Sequence, residues 1–259
     1  MSGAVQPTLI SAITAAGLTS GLLLCLDAGD ANSYTSGTKW LDTSGNGYDF
    51  FLGTNGTTYA PSFVGPAGSR NAYWANGSPT MFRYDTTNEV WMQNIHKNNA
   101  VFTMLQIYYP NTSADVYNLN GTTGSIGGTG FYWGALPALN LEVKNAGSSV
   151  LSKTSATIPS DNDFHIVAVS VNEATGAGGG FFYLDGNYSQ VSGGNTWNST
   201  YTSPSSGNAT YTMEIESIGN AETPPGAYSR LACYAVWSVA LTKADLDALK
   251  LQLRGRYGL

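Results

Sequence analysis

Six runs from residue 101 onward constrain this chain most: VFTMLQIYY at 101–109, LNLEVK at 139–144, FHIVAVSV at 164–171, GFFYLDG at 180–186, YTMEIESIG at 211–219 and SRLACYAVW at 229–237. Each is rich in β-branched and aromatic residues, which suit a pleated and partly buried surface. Shorter runs of the same kind, GLLLCLD, YDFFLG, NAYWAN and TMFRYD, precede them and are bounded by Gly, Asn, Asp or Pro. The pairs Asp185-Gly186 and Asn120-Gly121 supply the left-handed residues that tight reversals between antiparallel neighbours require. Roughly ten strands of this length predict an all-β, two-sheet antiparallel sandwich.

The two ends read differently. In ALTKADLDALKLQLRGRYGL, Thr242 can cap a helix with Asp245 three residues on, and Gly255 can end it. Leu246, Leu249 and Leu253 then form one apolar face that must cover a sheet. Residues 1–20 form an arm in which Leu9, Ile10, Ile13 and Ala16 share a helical face, with Leu18 outside it. Such an arm docks on the domain itself or on a neighbouring subunit, or else hangs free. Residues 21–259 form one domain. A short helix is also expected over TTNEVWMQNIHKN, and 118–130 and 191–209 read as polar surface loops.

Charged residues make up only 11% of the chain and Gly contributes 31 positions, so solubility rests on Ser, Thr, Asn and Gly. A formal charge of −6 repels phosphate backbones and anionic lipid, which argues against nucleic acid and membrane partners. Cys25 and Cys233 each sit inside an apolar run and read as buried thiols; a bond between them becomes possible if the terminal strands pair. The N-terminus has no basic residue before its apolar stretch, so a secretory signal is not expected. The Asn-X-Ser/Thr sequons therefore reflect composition rather than glycosylation.

LCLDAGDANSYTSGTKWLDTSGNGYDFFL resembles the first strand and following loop of concanavalin A-like, laminin-G-like jelly-roll domains. NDFHIVAVSVNEATGAGGGFFYLDGN is similar to the paired central strands of that family, and SRLACYAVWSVALTKADLDALKLQLRGRYGL to its closing strand and helix. The style with D-A-G-D before the loop and R-G-R-Y-G-L at the end resembles structural proteins of tailed phages and gene-transfer particles. The resemblance implies a non-catalytic virion protein: a decoration protein, head spike or tail-fibre module. Made in the bacterial cytoplasm, it would contact other virion proteins (capsid or tail), form a homo-oligomer and touch host-surface polysaccharide. The same sandwich also serves lectins and glycan hydrolases, so an adhesin and a glycoside hydrolase stay as alternatives.

Asp27, Asp30 and Asp42 crowd one loop. They fit turn architecture, in which Asp bonds nearby backbone, and they also offer oxygens to a calcium ion; no other cofactor is expected. For glycan stacking the candidates are Tyr132, Trp133, Trp197 and Tyr201, with Tyr108 and Tyr109 as further aromatics. Trp40 is expected to pack over the sandwich edge. Glu214 and Glu216 sit two apart on an expected strand and so share a face, as a retaining glycosidase requires. The third acid of the E-x-D-x-x-E pattern of jelly-roll glucanases is missing, which speaks against an enzyme and leaves no catalytic residues. His96 and His165 lack metal-ligand spacing.

Overall fold

A computed structural model describes residues 6–54, 56, 58–75, 80–84, 95–97, 99–110, 117–122, 128–135, 138–157, 159, 161–175, 179–189, 207–217 and 229–259. Among them a first helix, α1 (Leu9–Ala15), is followed by β1 (Leu22–Asp27), β2 (Lys39–Trp40), β3 (Phe50–Leu52), β4 (Ser62–Val64), β5 (Tyr73–Ala75) and β6 (Phe82–Tyr84). Longer strands come next: β7 (Val101–Tyr109), β8 (Tyr117–Gly121), β9 (Gly130–Ala135), β10 (Ala138–Asn145), β11 (Ser148–Thr157) and β12 (His165–Asn172). The chain closes with β13 (Gly180–Leu184), β14 (Asn187–Ser189), β15 (Glu214–Ile215), β16 (Arg230–Trp237) and α2 (Lys243–Tyr257).

The strands form two eight-stranded sheets. The first runs β14-β13-β12-β7-β16-β5-β4, with β1 also paired to β16; the second runs β11-β10-β9-β8-β15-β6-β3-β2. Neighbouring strands pair antiparallel throughout, as in the ladders β7·β12 and β7·β16, where the stretch from Thr103 to Tyr108 is paired on both sides. This is the expected sandwich.

Period-two alternation sorts the side chains into two separate cores. Phe102, Met104, Val167, Val169, Phe182, Tyr234 and Val236 of the first sheet meet Phe82, Phe131, Trp133, Leu139, Leu141 and Ile215 of the second. Trp74 anchors one end of this interior, with Tyr34, Trp40, Phe63 and Phe82 all within 5.7 Å of it by ring centroid. The alternate residues of the first sheet, Cys25, Leu105, Ile107, Ile166, Ala168, Cys233 and Ala235, pack against Leu9 and Ile13 of α1 and Leu246, Leu249 and Leu253 of α2. Both faces of β7, β12 and β16 are therefore covered over most of their length, which is why these strands read as near-continuous apolar runs.

The arm lies on the domain itself. Thr8 caps α1 by accepting from the Ser11 N–H at 3.2 Å. Gly17, at φ +75°, turns the chain so that Leu18 is buried rather than left outside, and the Leu18 carbonyl accepts from Trp237 Nε1 at 2.8 Å. At the other end, the Thr242–Asp245 capping box forms, but α2 does not stop at Gly255. It continues to Tyr257 and ends on the left-handed Gly258, because Arg256 and Tyr257 must reach buried partners. Gly255 instead allows close approach: a Cβ there would sit 3.1 Å from the Gln6 side chain. Most of the helix expected around residues 86–98 lies outside the described residues. Among the described residues no helix is long and apolar enough to cross a membrane.

Candidate functional site

Asp27, Asp30 and Asp42 do not converge; among the described residues no group of three or more His, Cys, Asp or Glu could hold a metal ion. Each carboxylate organises its own piece of chain. Asp42 accepts from the Cys25, Ser44 and Tyr48 backbone N–H groups and the Ser44 hydroxyl, at 2.7–3.1 Å. Asp30 accepts from the backbone and side chain of Asn32. Asp27 is fully buried and pairs with Arg256, its two oxygens receiving Nη1 at 2.7 Å and Nη2 at 2.5 Å. The same oxygens receive the Leu9 N–H at 2.7 Å and the Gly29 N–H at 2.8 Å. Arg256 also donates to the Arg70 and Pro7 carbonyls, and Arg70 in turn to those of Gln6 and Gly29. One buried ion pair thus ties the arm, the end of β1 and the end of α2 together.

The terminal strands do pair, with Cys25 opposite Ala235 and Cys233 opposite Asp27, yet both cysteines are free and buried. Burial pushes both thiols up from their ordinary value, and the Asp27 charge adds to this. Trp40 is fully buried against Trp74 and Phe82. His165 is buried between two carboxylates, Asp185 at 2.6 Å from Nδ1 and Asp161 at 2.9 Å from Nε2.

The aromatic candidates separate. Trp133 has no exposed surface and faces the inter-sheet core, so it cannot stack on a sugar; this corrects its choice as a ligand-binding residue. Tyr108 is in the same core. Tyr132, one residue from Trp133, points the other way, to the outer face of the second sheet, but it too is buried, at 7% exposure. Trp197 and Tyr201 lie outside the described residues.

That outer face carries one continuous cross-strand row. Glu142 of β10 pairs with Tyr132 of β9, Tyr132 with Gly121 of β8, and Gly121 with Glu214 of β15. Glu214 pairs with Arg83 of β6, Arg83 with Phe51 of β3, and Phe51 with Lys39 of β2. Seven strands thus place seven residues in line, six of them charged or aromatic, on either side of Gly121. Gly121 sets no side chain between Tyr132 and Glu214, whose strands lie roughly 9–10 Å apart at ordinary inter-strand spacing. Glu214 Oε1 receives Arg83 Nη2 at 2.6 Å and Nε at 3.1 Å. Lys39 lies over the Phe51 ring at 4.8 Å, and Lys144 approaches Glu142 at 4.0 Å. Burial raises the pKa of Tyr132, against a hydrogen bond with Asn140 that lowers it. Beside the row a cavity of about 170 Å³ is lined by Arg83, Thr210, Tyr211, Thr212 and Glu214.

The two glutamates of MEIES do not act as a pair. β15 ends at Ile215, and Glu216 adopts φ +64°, which breaks the alternation that would have set both on one face. Glu216 accepts from the Ser229 hydroxyl at 3.3 Å, next to the first sheet, while Glu214 faces Arg83 on the second. Arg83 and the register that brings it beside Glu214 were missed in the sequence, where the two residues stand 131 positions apart.

No family model and no curated protein matches the chain. Solved structures do. A Trypanosoma rangeli sialidase in complex with sialic acid aligns over 91% of this chain and 33% of its own, at 13% identity and a TM-score of 0.58. A structure described as the receptor binding domain aligns over 92% of this chain and 52% of its own, at 13% identity and a TM-score of 0.58. The binding domain of botulinum neurotoxin serotype D gives 92% and 52%, at 12% identity and a TM-score of 0.56. The chain spans about a third of the sialidase and half of the binding domains; at this identity the likeness shows the β-sandwich fold alone.

Proposed function

We propose that this chain is a non-catalytic β-sandwich module that binds carbohydrate along the polar row of its second sheet, carried as a decoration, spike or tail-fibre component of a phage-like particle. The observation that carries the binding part is the row itself. A partly exposed guanidinium stands in register on one sheet face with a buried carboxylate and a nearly buried tyrosine ring, beside a small cavity lined by Thr and Tyr hydroxyls. A polyhydroxylated ligand needs fixed donors and acceptors for its hydroxyls, which the Arg83 guanidinium and the hydroxyls of Thr210, Tyr211 and Thr212 supply. The structural likeness to a receptor binding domain, to a neurotoxin binding domain and to a sialidase in complex with sialic acid adds support.

The non-catalytic part is supported by the separation of Glu214 and Glu216, since glycoside hydrolysis by retention needs two carboxyl groups about 5–5.5 Å apart across the bond to be cleaved. The particle setting rests on the D-A-G-D and R-G-R-Y-G-L motifs. Asp27 and Arg256, one from each motif, are ion-pair partners, so the two motifs occur together for a physical reason. The test is a panel of bacterial surface polysaccharides read for both retention and cleavage. Retention by the native chain that falls in Glu214→Gln and Arg83→Gln, with no reducing ends released, is the expected result. Cleavage of any member, or retention unchanged in both variants, overturns the reading.

A further inference from the structure

A second cluster lies on the other sheet, where the proposed function has no use for it. Arg230 opens β16, directly opposite Tyr109 of β7 and Ala75 of β5, so its side chain shares the outer face of the first sheet with Tyr109 and Tyr73. Its guanidinium carbon lies over the Tyr109 ring at 4.2 Å and over the Tyr73 ring at 5.0 Å. Phe164 backs both tyrosines, edge-on at 5.5 Å from Tyr109 and 6.1 Å from Tyr73, and is itself braced by Tyr257 of α2 at 5.4 Å. Asn162, an exposed residue held at φ +65°, accepts from the Tyr109 hydroxyl at 3.2 Å.

The guanidinium packs against both rings, and an arginine held in this way has already lost much of the rotamer freedom that binding would otherwise cost. Arg230 is partly exposed, and among the described residues no carboxylate pairs with it. Arg256 and Arg83 show the contrast, each committed to a carboxylate at 2.6 Å or less. A planar two-oxygen anion matches such a fork. The chain's charge of −6 disfavours an extended polyanion, and the phenols and the Asn162 amide beside the fork suit neutral hydroxyls around a single charge.

We infer that Arg230, framed by Tyr73 and Tyr109, receives the carboxylate of an acidic saccharide at a second site on the first sheet. The site shares no residue with the polar row, so either can fail alone. The test titrates the full chain with glucuronate, glucose and acetate while following the Arg230 Nε–H and the tyrosine ring resonances by NMR. Glucuronate is expected to shift these signals and to bind more tightly than glucose or acetate. Arg230→Lys, which keeps the charge but loses the fork, should weaken glucuronate at least about tenfold, the worth of one charged hydrogen bond. Arg230→Gln should abolish the glucuronate shifts of the Tyr73 and Tyr109 ring signals. Equal affinity for glucuronate and glucose, acetate binding as tightly as glucuronate, or undiminished binding by Arg230→Gln overturns the inference.

Discussion

Replacing Asp27 by Asn keeps the shape of the side chain and removes its charge. In the native fold both carboxylate oxygens are occupied by four donors: two from Arg256 and the backbone N–H groups of Leu9 and Gly29. The amide can offer one oxygen; its NH₂ must face at least one of those donors. The Arg256 guanidinium is then left without a counter-charge at a site where both side chains have no exposed surface. Breaking a buried pair from one side costs about 3–5 kcal/mol. For a chain of this size each kcal/mol is worth roughly 2–4 °C in Tm, so the expected fall is about 6–20 °C. Urea unfolding of Asp27→Asn, Arg256→Met and the double variant measures it as a cycle. Each single change should cost several kcal/mol. The double should cost less than the sum of the two by about 2 kcal/mol or more, because it removes both buried charges. Limited proteolysis should cut between residues 6 and 20 faster in Asp27→Asn, since the Leu9 N–H loses its acceptor. A cost under about 1 kcal/mol for Asp27→Asn, or strict additivity, would refute the reading of this pair as the clamp on the arm.

Two further outcomes follow from the titratable groups. Burial pushes the His165 pKa down, but the hydrogen bonds and charges of Asp185 and then Asp161 outweigh it, so the folded value lies above the ordinary 6.5. The stabilisation is thus fully present below pH 6.5 and disappears as pH rises through the folded value. Thermal melts should show native Tm dropping relative to His165→Gln as pH rises from about 6 to 9, and parallel curves would contradict the pairing of His165 with Asp185 and Asp161. Cys25 and Cys233 are buried and their pKa values are pushed up, so neither thiolate forms at neutral pH. Iodoacetamide should label them at the rate of global unfolding, and rapid labelling of the native chain would show that the packing of β1 on β16 is wrong.

Much of the fold is legible in the sequence because its long strands advertise themselves. β7, β12, β13 and β16 fall on the apolar runs that begin at 101, 164, 180 and 229. The leucine face of α2 correctly demands a sheet to cover. What the sequence conceals is register. Tyr132 and Trp133 look alike as aromatic neighbours, but adjacent residues of a strand face opposite ways, so only one of them can leave the core. Glu214 and Glu216 look paired until a single left-handed residue breaks the alternation. Asp27 reads correctly as loop chemistry, whereas its main partner, 229 positions away, is set by the docking of α2 and could be guessed only from the motif that contains it. The Arg230 cluster draws on β5, β7, β16 and the loop before β12, a meeting that no local pattern announces.

The two sheets differ in how freely their sequences can drift. A strand wedged between helices on one side and a partner sheet on the other has no position that tolerates a new polar group. In the second sheet the outward positions that keep solvent contact, such as Lys39, Phe51 and Glu142, can be rewritten while the interior stays untouched. Specificity written there can diversify from one relative of this chain to the next at little thermodynamic penalty, with the helix-backed layer held constant beneath it.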